Sequence, residues 1–400
     1  MRSVIRTLIL LLLALAPLFA QTNSETLQQL SKITGFKVRK PVPQDSMTRD
    51  QLKAYFDKRM AEVVSQEELR IEELVLKRFG LVPETFDLKQ STLDLMTEQA
   101  AAFYDYRKDR MVILDGQSGF MQNIALIHEL AHALADQHFD LDKYIRKNSV
   151  DDDALLARQA VMEGQATWLM SEMMVQRGGQ SLRTAPEMVE MMSRMAGAGG
   201  GTFPVFDQSP LYLKESLLFP YAQGMVFQQA VVMKLGDGAF FEVFRKPPIS
   251  TQEVLHPERY LERSAAVSVQ PSVAVPQPPD SKNWKRLTSG AIGEFDHMIL
   301  LRQYDRPREL VAAKWMAGSY ELHESKKDKA VLLTYASRWE NAGAARDYFE
   351  AYKAVLKGKW KRCEFSEESE NRVRGVGDAG RFEITLEGET VRSLEGLPVN

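Results

Sequence analysis

The chain has 400 residues, 44% of them hydrophobic and 26% charged, enough to bury cores for two or three structural units. A net charge of −3 offers no basic surplus for nucleic acid or an anionic membrane surface. The single cysteine, Cys363, excludes an intramolecular disulfide and a thiolate metal site, so stability must come from packing.

Arg2 and Arg6 precede the apolar run LILLLLALAPLFA, which closes on small Ala20. A basic start, a short apolar stretch and a small exit residue describe a secretory signal peptide over residues 1–20. The run is too short to span a bilayer comfortably, so no stable membrane span is expected once it is removed. The mature protein is then exported, periplasmic or secreted.

Residues 26 to 96 read as helical, with apolar positions at helical spacing in QLKAYFDKRMAEVVSQEELRIEELVLKRF. Gly80 ends that pattern and Pro83 prevents its resumption. In AAFYDYRKDRMVIL two β-prone runs flank a polar YRKDR, the pattern of a hairpin or of a turn into a strand. A helix over about 119 to 137 follows. Asp151 to Asp153 cap a long helix, ALLARQAVMEGQATWLMSEMMVQRG, closed by Gly178 and Gly179. GAGGGTF is a break. A further helix runs from about Leu211 to Leu235, broken at Pro220, and KPPISTQEVLHPERY reads as a loop with a short capped turn.

The Pro- and Ser-rich residues 264–282 form an extended connector. Residues 283–400 alternate strand-like runs (AVLLTYASRW, RFEITLEG, ETVRSLEG) with the helix ENAGAARDYFEAYKAVLKG. The expected class is α+β: a mainly helical domain over 21–263 carrying a small sheet, and a smaller α+β unit over 283–400. The helical residues 21–95 belong with the core of the first domain rather than to a removable segment. The eight methionines between 162 and 195 suit helix packing, and KAVLKGKWKR suits a solvated helix end.

Three of the six histidines fall in NIALIHELAHALADQHF. A four-residue step on a helix advances about 400°, so His128 and His132 project from one face one turn apart and can hold one metal ion. Glu129 lies about 100° round, near the ion but off the ligand line, where it can act on water. A catalytic zinc takes three protein ligands and keeps one position open. Glu163 in VMEGQAT, an acid among apolar neighbours on a separate helix, is the candidate third ligand. Asp136, Asp140 and His138 compete for that place. Asp136 could instead receive the His132 ring N–H, and His138 suits a cap near the helix end. The plainer alternatives are a helix that merely carries histidines and, for Glu163, a salt bridge or cap.

The order of strand, HELAH helix and later glutamate resembles the gluzincin group of zinc metallopeptidases. FYDYRKDRMVI, HELAHALADQHFD, VMEGQAT, FPYAQGMVF and PPISTQEVLHPERY resemble a group of uncharacterised exported bacterial metallopeptidases over most of residues 26–263. The resemblance implies a zincin-like catalytic domain with Zn²⁺ on His128, His132 and Glu163. It implies Glu129 as general base and a protein or peptide substrate. A His or Tyr commonly stabilises the oxyanion in such enzymes, and His256 and Tyr221 are the candidates here. The strand RMVIL would be the sheet edge that pairs with substrate. Thr167 stands where thermolysin-like enzymes carry an acid that orients a histidine, and its hydroxyl could accept the same hydrogen bond without bringing a charge. The competing readings are a catalytically degenerate zinc- or peptide-binding protein and an envelope scaffold in which residues 283–400 do the work.

Overall fold

The computed structural model describes residues 23–115, 119–146, 151–197 and 203–399. The proposed signal peptide lies outside the described residues. Among them, no helix is long and apolar enough to cross a membrane. The class is α+β, a helical assembly with a three-stranded sheet followed by a seven-stranded sheet.

Helices α1 (Asn23–Thr34), α2 (Arg49–Val63), α3 (Gln66–Phe79) and α4 (Leu88–Gln99) occupy the N-terminal stretch. Thr48 and Ser65 open α2 and α3 with reciprocal capping boxes, and Gly80 closes α3 in the left-handed conformation at φ 79°. The expected hairpin forms from β2 (Ala102–Asp105) and β3 (Arg110–Leu114). A short strand that the sequence pattern does not betray, β1 (Gln44–Met47), pairs parallel with β3, giving the order β1-β3-β2. RMVIL is therefore the central strand and not the edge, because β1 takes the side that would otherwise be open. The edge that packs on the HELAH helix is β2.

That helix, α5 (Gly119–Phe139), packs against α7 (Asp152–Gln176), and α7 packs in turn against α10 (Leu211–Leu235). Between them in chain order come α6 (Leu141–Arg146), α8 (Pro186–Gly197) and α9 (Pro204–Gln208). Asp151 caps α7 as its spacing predicts, accepting from the Ala154 N–H. α10 runs unbroken through Pro220, contrary to the break expected there. Proline removes one N–H, and burial of Phe219, Tyr221 and Ala222 around it holds the helix together. α7 and α10 cross at Gly164 and Gly224. A Cβ on Gly164 would come within 2.1 Å of the Gly224 carbonyl carbon, so only glycine permits this approach. α11 (Ala239–Arg245) follows, and then two short helices, α12 (Thr251–Leu255) and α13 (Pro257–Glu262), form where a loop and one turn were expected.

After the extended connector, β4 (Trp284–Ala291), α14 (Glu294–Tyr304), β5 (Trp315–Ser325), β6 (Val331–Trp339), α15 (Ala342–Lys359), β7 (Cys363–Glu368), β8 (Arg372–Gly377), β9 (Gly380–Glu387) and β10 (Thr390–Leu397) form one antiparallel sheet, ordered β4-β5-β6-β10-β9-β8-β7, with α15 laid on it. The hydrophobic core is continuous between this unit and the helical one. Phe79 at the end of α3 meets Tyr320 and Tyr335 edge-on at 5.4 and 5.6 Å. The Gly80 carbonyl accepts from the Tyr304 hydroxyl, and the Arg78 carbonyl accepts from Lys359 Nζ. Beneath α15, His297 donates from Nδ1 to the Gly293 carbonyl, which leaves Nε2 to accept from the Tyr335 hydroxyl at 2.6 Å. Burial holds the ring neutral, with its pKa down at about 4.

Two outcomes follow from this packing. Gly164→Ala forces α7 and α10 apart and should lower stability by roughly 2–4 kcal/mol in denaturant unfolding; Gly238→Ala, where an added Cβ meets nothing within 4 Å, should cost far less. The buried His297 binds its proton less readily than the unfolded chain does. Stability should therefore fall as the pH drops from about 6.5 toward 4, by up to roughly 3 kcal/mol from this group. A His297→Gln variant measured across that range should lack this share of the slope.

Candidate metal centre

From residue 123 onward α5 is mostly buried, and its face toward α7 carries His128 and His132, 3% and 7% exposed. Glu163 reaches them from α7 at 1% exposure, delivered by the close helix crossing at the very next residue. Three atoms converge. His128 Nε2 lies 2.9 Å from Glu163 Oε2, His132 Nε2 lies 3.2 Å from the same oxygen, and the two imidazole nitrogens are 3.0 Å apart. The rings stand nearly perpendicular, at 84°. Among the described residues, these three are the group of His, Cys and acidic side chains able to share an ion.

The donor set fits a small dication. A tetrahedral zinc with bonds of about 2.0–2.1 Å sets its ligand atoms roughly 3.3 Å apart, close to the triangle observed. Two imidazole nitrogens at 3.0 Å cannot both carry hydrogen, so at least one lone pair points inward. Glu163 Oε1 is buried with no hydrogen-bond partner, a costly condition for a carboxylate oxygen.

The electrostatics divide the site. Burial pushes Glu163 toward the neutral acid, but the charge of His132 and hydrogen bonds from both histidines outweigh it and hold the pKa down at about 2. Burial lowers His128; for His132 burial works the same way, but Glu163 overrides it and raises the ring. Glu129, 3% exposed, is driven by burial up to about 8. Its Oε2 accepts the Tyr104 backbone N–H at 2.8 Å. That N–H faces away from β3, on the outer edge of β2.

The remaining candidates disperse. Asp136 does not reach His132: its oxygens accept from the Tyr104 hydroxyl at 2.9 Å and the Leu141 N–H at 2.7 Å. Asp140 caps α6 through the Lys143 N–H. His138 stacks on Phe36 at 5.0 Å and donates to the Lys37 carbonyl, a packing role in place of the expected cap. The Thr167 hydroxyl, one turn beyond Glu163, is buried without a hydrogen-bond partner and orients neither ring. Tyr221 does sit at the site, stacked on His128 at 5.8 Å and 26°. His256 is held at the junction with the C-terminal unit, where Nε2 lies 2.8 Å from Glu294 Oε1. Pro257 starts α13 immediately after it and fixes it there.

Tyr104 is the site residue that sequence reasoning missed. Through its backbone it grips Glu129, and through its hydroxyl Asp136, two turns further along α5. Comparison with family models, curated proteins and solved structures gives no match to this chain. A double-mutant cycle of Tyr104→Phe and Asp136→Ala should return a coupling of roughly 1.5–3 kcal/mol in urea unfolding, as for a hydrogen bond to a carboxylate.

Proposed function

We propose that this chain is a zinc-dependent peptide hydrolase of the gluzincin type. The observation that carries the reading is the buried convergence of His128 Nε2, His132 Nε2 and Glu163 Oε2 within 3.2 Å of one another, with Glu129 on the next helical position. Zinc in such a site supplies Lewis acidity and makes water acidic enough to serve as a nucleophile near neutral pH.

The chain's own groups do the rest. Glu129 takes the proton of the attacking water and passes it to the leaving amine. The Tyr104 N–H engages its Oε2, so proton traffic falls to Oε1. Burial makes its carboxylate a stronger base than an exposed one. Glu163 stays ionised and serves as a ligand. Tyr221, stacked on His128, is the better placed of the two oxyanion candidates.

The test is metal analysis of purified protein together with cleavage profiling on a denatured proteome. Wild type should hold about one zinc per chain, and His132→Ala should lose it. Glu129→Gln should keep the zinc while cleavage falls about 100-fold or more. Zinc without cleavage in the wild type would assign a degenerate metal-binding protein, and absence of zinc would remove both readings.

A further inference from the structure

Away from the metal centre, a cleft of about 400 Å³ opens between the first turns of α7, the bend after α11 and the start of the connector. Four cations line it, Arg158, Arg245, Lys246 and Arg263, against one lining carboxylate, Asp151, whose Oδ1 is used as the α7 cap. Arg263 is offset by Glu253 at 3.1 Å. The other three cations have no carboxylate within ion-pair distance among the described residues.

Arg158 is the telling member. Its guanidinium lies 5.1 Å over the Tyr144 ring and donates to the Tyr144 carbonyl at 2.8 Å, so its position is fixed. Its Nε is buried with no hydrogen-bond partner. Burial pulls its pKa down, and no carboxylate opposes that. Arg263 is buried too, its side chain only 6% exposed: Nη1 faces Glu253, Nη2 donates to the Pro247 carbonyl, and Nε lacks a hydrogen-bond partner. Proteins seldom bury guanidinium N–H groups unpaired, because each costs about 1–3 kcal/mol or more when charged. The cleft mouth is apolar at Ile249, Val267 and Val269, and the two valines are exposed.

We infer that this cleft binds a small organic oxoanion, a phosphate or carboxylate with a short apolar body, through Arg158 and Arg245. A planar guanidinium fork matches two oxygens of such a group. The apolar mouth would hold the ligand's body. This inference does not rest on the metal centre.

The experiment is a titration of the full chain, followed by calorimetry or two-dimensional NMR, at constant ionic strength made up with sodium chloride. The probes are inorganic phosphate, phenyl phosphate and N-acetyl-leucine. Saturable binding of at least one is expected, with phenyl phosphate tighter than phosphate if the apolar mouth contributes. Comparison of phenyl phosphate with N-acetyl-leucine separates phosphate from carboxylate recognition. Arg158→Gln should weaken binding roughly tenfold or more, the loss of a charge-assisted bond. The exposed Arg245→Gln, which gives up a cation–π contact with Phe241, should weaken it as well. Absence of saturable binding by all three probes, or binding that neither substitution alters in a folded variant, overturns the assignment.

Discussion

Glu163 is a carboxylate with 1% of its surface exposed, in the middle of a helical core. An isolated buried charge is untenable, so the site exists only because two imidazoles meet it there. Much of the helical domain follows from that requirement. α7 must come close enough to α5 for the oxygen to reach both rings, and its other side must let α10 approach without a side chain between them. Gly164, the residue after the carboxylate, meets Gly224 at that crossing. Tyr221 on α10 then closes over His128. The same crowding gives Glu129 its character: with solvent excluded, a carboxylate that would ionise readily in water holds its proton to about 8.

The helical domain and the C-terminal sheet share one continuous core, and polar groups fasten them as well as apolar ones. Lys359 and Glu395, each 1% exposed, form an ion pair, and the Lys359 ammonium also donates to the Arg78 carbonyl of α3. Asp153 in the first turn of α7 accepts from the Thr251 N–H and hydroxyl, while Gly293 lies so close that a Cβ there would collide with its carboxylate. The helix that delivers Glu163 is thereby anchored at its start to α12 and to the sheet unit. With Phe79 seated between Tyr320 and Tyr335, residues 23–99 are built into the fold rather than laid upon it.

Local patterns were legible wherever chemistry and helix period coincide. The four-residue spacing of His128 and His132 determines their shared face whatever surrounds them. Asp151 and Gly80 mark helix ends through caps that act within one turn. Glu163 stood out as an acid in an apolar stretch. Failures came where a distant partner decided. β1 is four residues of mixed polarity, QDSM, and is a strand only because β3 offers it hydrogen bonds. Pro220 fails to break α10 because packing holds both sides of it. β7, largely exposed, carries too few apolar residues to show an alternation. His256, grouped with the site by residue type, was claimed by Glu294.

By itself the sequence determined what each segment could do: which residues can ligate, which can accept a proton, and where helices start and stop. Those properties depend on residue chemistry and on backbone geometry within a few positions. The tertiary structure alone decided that Glu163 faces the histidines, that β2 forms the edge beside them, and that the Tyr104 N–H takes hold of Glu129. Each of these joins groups 25 or more residues apart, and burial and close packing, which act through space rather than along the chain, select among the pairings the sequence leaves open.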